Sequence, residues 1–358
     1  MSTTLLISND SPTGVGGIEV MVAAAIDALT ADGRRVVFQG SRGLLLPTPA
    51  TARAAVDAVR SHGADSVLFG AAAPLGLLAR TLRPHVRTIV AMSHGHECGW
   101  ARTPLARRAL RRIGADVDAL TTISAHTEQV IGSALRPQDR GKLARLTPPV
   151  DLSVFRPREA APRPERPVVL AAARLVGQKG VDVLLRAWEQ VVAAWTGGPR
   201  PLLRIVGEGP QRSHLMRLAA SGVERGDVEF RAAVPHARMP DQMRAADVFA
   251  LPVQSRWGGR HAEGFGLVFA EAGACGVPVI AGASGGVRDV VHHGVNGFVL
   301  DPTDPAVWAD HLRRLLRDPA LRTRMGTAGR RLAARFGREH FDLTLRAMFA
   351  SHEPGRAS

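Results

Sequence analysis

Hydrophobic positions in this chain follow two rhythms. Short runs rich in Val, Ile, Leu and Ala recur at residues 5–8, 35–38, 66–69, 88–92 and 119–123, and a second series follows at 168–172, 202–206, 228–230, 248–251 and 277–280. Between them apolar residues return every three or four positions, the spacing of one helix face. Strand runs separated by amphipathic helices predict parallel sheets with helices on both faces. The rhythm stops at "TPPVDLSVFRPREAAPRPERP" (147–167), which is too rich in proline to continue a sheet and suits a semi-rigid connector. With 358 residues, long for one core, the expectation is an α/β chain of two Rossmann-like, doubly wound domains, 1–150 and 151–337, with a cleft between them. Ligands of such sheets sit beyond the carboxyl ends of the strands, so each motif is weighed by whether it follows a strand.

The most informative stretch is "HAEGFGLVFAEAGACGVPVI" (261–280). It follows a strand and a loop, and "GFGLVFAEA" reads as the start of a helix that ends before Gly276. The amides of Phe265, Gly266 and Leu267 then point from a helix N-terminus at a phosphate. Glu263 and Glu271 are eight positions, about two helical turns, apart and reach opposite ends of a ligand; a diphosphate between a sugar and a ribose fits that span.

Three further motifs follow strands. In "ARLVGQKGVDVLLRAW", Arg174 and Lys179 flank a turn holding Gly177 and Gly180, and Lys179 is one of two lysines in the chain. An ammonium beside a guanidinium suits a diphosphate leaving group; an ordinary solvated loop pair is the other reading. In "SNDSPTGVGGIEV", Gly14, Gly16 and Gly17 precede a helix, either to let backbone amides approach an anion or simply to make a tight turn. Glu19 stands where a dinucleotide fingerprint needs its third glycine, which argues against a dehydrogenase. In "SHGHECGW", His94 ends a strand, placed to bond a substrate hydroxyl or merely nearby backbone. The spacing of His94, His96 and Glu97 is not that of a zinc site, and Asp116 and Asp118 lie ahead of a strand, at the entering end of the sheet, where a structural role is expected.

Charge changes the picture little. The formal net charge is +14, but nearly all of it is arginine, and the chain has no tyrosine and no aromatics interleaved on a basic stretch, so nucleic acid is not an expected partner. Cys98 and Cys275 lack metal or disulfide spacing, the N-terminus lacks signal-peptide regions, and no apolar run reaches the ~18 residues of a membrane span. A cytoplasmic enzyme is expected. One basic segment, "ARTPLARRALRRIG" (101–114), sets Arg107, Arg108, Arg111 and Arg112 beside a face of Leu105, Ala109 and Ile113, either a docking helix for anionic lipid on the inner face of the plasma membrane or a solvated helix face.

Together the E-x7-E pair, the Arg-Leu-x3-Lys pair and the Gly-Gly-Ile-Glu loop resemble the retaining family 4 glycosyltransferases of GT-B architecture. The resemblance runs through "VGEGP", "AADVFALPV" and "GACGVPVIAGASGG", and within the family it is strongest to the actinobacterial phosphatidylinositol monomannoside mannosyltransferases through "LPTP", "FGAAAPLGLLA", "SHGHECGW" and "RRIGADVDALTTIS". It implies a hexosyltransferase using a nucleotide sugar, GDP-mannose, with no metal and no other cofactor. It makes Glu271 the ribose ligand, Glu263 a contact to the donor sugar, Arg174 and Lys179 the diphosphate clamp, His94 a contact to the transferred sugar, and Gly16 and Gly17 the loop beside the diphosphate. It also implies an acceptor-binding first domain, a nucleotide-sugar-binding second domain, and a C-terminal helix, about 338–350, that crosses back onto the first and shares in the hinge. Three departures fall on the acceptor side: about twenty-five residues are missing between Gln39 and Leu44, His261 replaces an aspartate, and Glu19 replaces a glutamine. A lipid acceptor and a soluble cyclitol or secondary metabolite therefore both remain open, with a nucleotide binder that transfers nothing as the third reading.

Overall fold

The computed structural model describes residues 2–11, 17–40, 45–157, 165–256, 258–259 and 261–350. Gly14 and Gly16 of the glycine loop lie outside these residues, as do positions 41–44, where the chain is expected to be shortened. The chain divides into two units, Met1–Pro149 with Arg338–Ser358, and Val150–Gly337.

In the first unit the strands are β1 (Thr3–Ile7), β2 (Arg35–Gln39), β3 (Ser66–Phe69), β4 (Thr88–Ala91), β5 (Ala119–Thr122) and β6 (Leu143–Arg145). They form a parallel sheet in the order β2-β1-β3-β4-β5-β6. β1, β3, β4 and β5 are buried along their whole length, as expected of strands covered by helices on both faces. Leu5, Ile7, Val67, Phe69, Ile89 and Leu120 carry the core, and Leu110 and Ile113 close it from the helix Pro104–Asp116. The order reverses between β1 and β3, so the loops after those strands border this sheet's switch point.

The helix Arg338–Ala350 packs on the helix Gly17–Ala31 in this unit. Arg338 and Arg346 donate to the carbonyls of Ala24 and Ala28, and Arg34 lies 5.1 Å from the centre of the Phe349 ring. The preceding helix, Pro319–Ala333, ends in a turn at Ala334–Phe336, and Gly337 takes an extended conformation before the last helix begins.

The second unit holds β7 (Val168–Ala172), β8 (Leu202–Val206), β9 (Val228–Arg231), β10 (Val248–Leu251), β11 (Val279–Gly282) and β12 (Gly297–Leu300), parallel in the order β12-β11-β10-β7-β8-β9. Its switch point lies between β7 and β10. Trp188 and Trp308, fully buried on flanking helices, pay no polar penalty because each indole N–H reaches a backbone carbonyl, of Asp227 and Asp301.

Two strands were not expected from the sequence. β6 has three residues and is only partly buried, too little pattern to announce it, whereas β12 is a buried apolar run as long as β3 and β10 and was open to the same reading. β11 starts at Val279, two residues after the expected start, because Pro278 has no N–H for the ladder, and pairing with β12 carries it on to Gly282, two residues past the expected end. β1 begins two residues early, at Thr3, where the buried Thr4 hydroxyl is satisfied by Ser66 Oγ at 2.9 Å.

Candidate active site

The sequence motifs of the second unit fall on the two loops at its switch point. After β7, the chain passes Arg174, makes the single turn Gly177–Lys179, and enters the helix Val181–Ala193 at Gly180. Gly180 has φ +65°, and a β-carbon there would stand 2.1 Å from the Pro252 carbonyl oxygen, so the loops after β7 and β10 touch backbone to backbone. The amide of Gln254 donating to Gln178 O at 2.8 Å fixes the same contact. The "VGEGP" turn braces the loop from the other side, with the Leu175 amide bonded to Glu208 O and the Gln211 amide to Leu175 O.

The loop after β10 folds back on itself: the amides of Arg256 and His261 each donate to the other residue's carbonyl. That return sets Glu263 against the loop after β11, where the Ser284 hydroxyl accepts from the Glu263 amide and the Gly286 amide donates to Glu263 O. With its backbone clamped, Glu263 extends Oε2 to within 2.7 Å of Lys179 Nζ, and the two side chains are 18% and 19% exposed. A pair so placed is screened only in part, and each charge holds the other in position. Arg174 is exposed, and among the described residues its guanidinium has no hydrogen bond or ion pair. An unpaired guanidinium and an ammonium held in place on one loop can together bind an anion.

The helix Leu267–Ala274 begins at Gly266, whose φ of +93° turns the chain into it. Phe269 and Ala270 donate to Gly266 O, so the amides of Phe265, Gly266 and Leu267 precede the first helical bonds. Phe265 is buried edge-on against Phe336, centroids 5.0 Å apart, which pins the start of the helix. Glu271, in the middle of this helix, is 5% exposed. Burial pushes its carboxyl up from the ordinary value, and His236, whose Nε2 lies 2.6 Å from Oε1, opposes that rise.

In the first unit His94 follows β4. Its Nε2 lies 2.5 Å from the carbonyl of Gly70, just past β3. A carbonyl only accepts, so the neutral ring carries its proton on Nε2 and presents Nδ1 as an acceptor. Although part of the residue is exposed, desolvation of the ring outweighs the attraction of Glu97 and lowers the imidazole pKa. Glu97 is buried and takes the His94 amide on Oε2, while His96 bonds Ala73 O. Gly17 opens the helix Gly17–Ala31 and is exposed; Gly16 lies outside the described residues.

Other candidates resolve into structural roles. Asp118 accepts from the Ile89 amide and from Arg83, which ties β4 to the chain entering β5. Cys98 and Cys275 are buried thiols pushed up to about 12, largely by desolvation, and stay protonated at neutral pH. No group of three or more His, Cys, Asp or Glu side chains placed to hold a metal occurs among the described residues, nor any helix long and apolar enough to cross a membrane. The basic segment differs from its expected form. Ile113 is core, Arg107 and Arg111 donate to the carbonyls of Ser133 and Ala134 at the end of the helix Ala125–Ala134, and only Leu105, Arg108 and Arg112 of the expected surface are exposed.

A doubly wound sheet with basic side chains and a helix N-terminus at its switch point is suited to a phosphate-bearing ligand, and comparison with known proteins gives the family. Residues 155–332 match the family described as Glycosyl transferases group 1. The chain belongs to this family and is a glycosyltransferase. It is 38% identical, over 92% of its length and 93% of the relative's, to the GDP-mannose-dependent alpha-(1-6)-phosphatidylinositol monomannoside mannosyltransferase of Mycolicibacterium smegmatis. It is 37% identical, over 91% and 92%, to the GDP-mannose-dependent monoacylated alpha-(1-6)-phosphatidylinositol monomannoside mannosyltransferase of Corynebacterium glutamicum. Among solved structures, a sucrose-phosphate synthase from Thermosynechococcus elongatus shares the fold at a TM-score of 0.79, with 21% identity, covering 98% of this chain and 99% of that one.

The sequence did not reveal that His236 bonds Glu271 or that the Ser284–Gly286 loop holds the Glu263 backbone. "VPHARMP" carries no recognisable spacing, although "GASGG" after a strand was a signal that a loop approaches another backbone.

Proposed function

We propose that this enzyme transfers mannose from GDP-mannose, with retention at the anomeric carbon, to a phosphatidylinositol monomannoside-type lipid. The observation that carries the reading is the match, over more than nine-tenths of the chain, to relatives named as GDP-mannose-dependent phosphatidylinositol monomannoside mannosyltransferases. In this reading Glu271 accepts from the ribose hydroxyls, Arg174 and Lys179 hold the diphosphate with the amides of Phe265, Gly266 and Leu267, and Glu263 contacts the donor sugar while keeping Lys179 in place. Gly16 and Gly17 border the diphosphate, and His94 accepts a hydroxyl of the transferred mannose on Nδ1. The bond from the anomeric carbon to the diphosphate oxygen breaks as the acceptor oxygen attacks the same face. The departing phosphate takes the acceptor's proton, and the cationic clamp stabilises the charge that develops on it.

Fixed cations and amides supply that stabilisation without a divalent ion, so a chelator is expected to leave the initial rate unchanged. A rate restored only by added Mg²⁺ or Mn²⁺ contradicts this part of the reading. His94→Ala is expected to lower turnover about 10²-fold while GDP binding holds, because the side chain meets the sugar and not the nucleotide. A parallel fall in GDP affinity contradicts the assignment.

The acceptor is tested by supplying GDP-mannose with phosphatidylinositol monomannoside in vesicles, and separately with soluble inositol derivatives. Mannosylated lipid as the product supports the reading, and transfer to the soluble cyclitol alone replaces it. The exposed trio Leu105, Arg108 and Arg112 supports peripheral docking on anionic lipid. Flotation with anionic but not neutral vesicles, lost on reversing Arg108 and Arg112 to Glu, is the expected result; equal flotation with both ends that part of the proposal.

A further inference from the structure

His236 lies in a single turn, His236–Arg238, between β9 and β10, and enters through Pro235. Its ring packs on Phe155 with centroids 5.2 Å apart, and Nε2 stands 2.6 Å from Glu271 Oε1. Glu271 is nearly buried, whereas the His236 side chain is 44% exposed, so one partner is fixed in a helix and the other reaches it from a loop. Among the described residues no other side chain bonds the Glu271 carboxylate.

We infer that His236 is a positioning residue for the nucleotide: by holding Oε1 of Glu271 it sets the rotation of the carboxylate, so that Oε2 meets the ribose hydroxyls. The inference rests on the reading of Glu271 as the ribose ligand. A carboxylate that accepts from ribose must also stay ionised, since a protonated acid loses an acceptor position and adds a donor that the sugar hydroxyls must accommodate. Burial works against ionisation of Glu271, and His236 works for it. In return the bond to Glu271 raises the His236 pKa, with a smaller contribution from Asp151, so the imidazolium persists at higher pH than that of a free histidine.

The surrounding charges do not substitute for His236. Asp241 and Arg244, on the neighbouring helix Met239–Arg244, pair with each other at 2.6 Å, and Arg238 also bonds Asp241. Arg322 on the helix Pro319–Ala333 pairs with Asp247, and Arg330 and Arg244 act on the Cys275 thiol. The remaining charges on packed elements are Arg324 and Arg331 on that same helix, and Arg288 and Asp289 on the helix Val287–Val290; of all these groups, His236 alone shifts Glu271 against its burial.

The experiment is calorimetric titration of the full chain with GDP from about pH 5.5 to about pH 9, on the parent, His236→Ala, His236→Gln and Glu271→Gln. The parent is expected to change little across neutral pH. His236→Ala is expected to bind GDP more weakly and to lose affinity as pH falls, by up to about tenfold per unit, as the unsupported carboxyl takes a proton. His236→Gln, which keeps a donor without the charge, is expected to recover affinity at high pH and fall away at low pH. Loss by the same factor at every pH in both His236 variants overturns the inference, and so does tighter binding, which would make His236 a plug. The underlying reading fails separately: parental GDP affinity in Glu271→Gln removes Glu271 from the ribose.

Discussion

Replacing Lys179 by alanine is expected to lower the transfer rate about 10²–10³-fold at saturating donor, the usual cost of removing one preorganised donor from developing charge. Three features make the effect large. Nζ is held at 2.7 Å from Glu263 Oε2, in a setting where four-fifths of each side chain is covered, so the charge is in place before the leaving group develops its own. The turn that carries it is locked by the contact of Gly180 with Pro252 O. Removing the ammonium also leaves Glu263 as an uncompensated carboxylate beside an anionic ligand. Lys179→Arg is expected to recover little, because a planar guanidinium does not fit the position of a compact ammonium. Steady-state kinetics with GDP-mannose check this: a fall in turnover supports the clamp, whereas a raised Michaelis constant with unchanged turnover assigns Lys179 to ground-state binding alone.

The second large effect is expected from Gly285→Ala. Gly285 has φ +51°, and a β-carbon there would stand 2.0 Å from the carbonyl oxygen of Glu263. The left-handed backbone costs an alanine about 1–2 kcal/mol, and displacing the Glu263 backbone adds to it, for a total of roughly 2–4 kcal/mol. In a unit of this size that corresponds to a fall in Tm of about 5–15 °C. The same displacement breaks the bonds from the Gly286 amide and to the Ser284 hydroxyl that clamp Glu263, so Lys179 loses its anchor. Turnover measured well below the lowered Tm is expected to fall at least tenfold, a loss that instability alone does not produce. A variant with normal turnover at low temperature shows that this loop supports the fold and not the chemistry.

Much of the fold was legible because parallel strands covered on both faces must be apolar along their length. β3, β7, β8 and β10 have the bounds expected from their runs. The three-residue, partly buried β6 had no such signal, β12 had it in Phe298–Leu300 and was passed over, and Pro278 moved the start of β11 by its missing donor. Within the candidate site, Glu263, Arg174 and Lys179 stood out because charges after strands in glycine-rich turns have a narrow set of uses, and Glu271 stood out by its spacing of eight positions from Glu263. The link between Lys179 and Glu263, 84 positions apart, depends on which strands are neighbours, and strand order is not written in local pattern. His236 was hidden for the same reason: its partner is 35 residues on, and a histidine after a proline has no local signature. The basic segment shows the reverse error. Helical spacing grouped Ile113 with Leu105, but the first is core and the second is 76% exposed.

The most direct test of the account is metal-free calorimetric titration with GDP, UDP and ADP, on the parent and on the double variant Glu271→Ala with Arg174→Ala. GDP is expected to bind the parent tightly, in preference to UDP and ADP, and to lose that binding in the double variant. Preference for UDP, or no nucleotide bound by the parent, would contradict it.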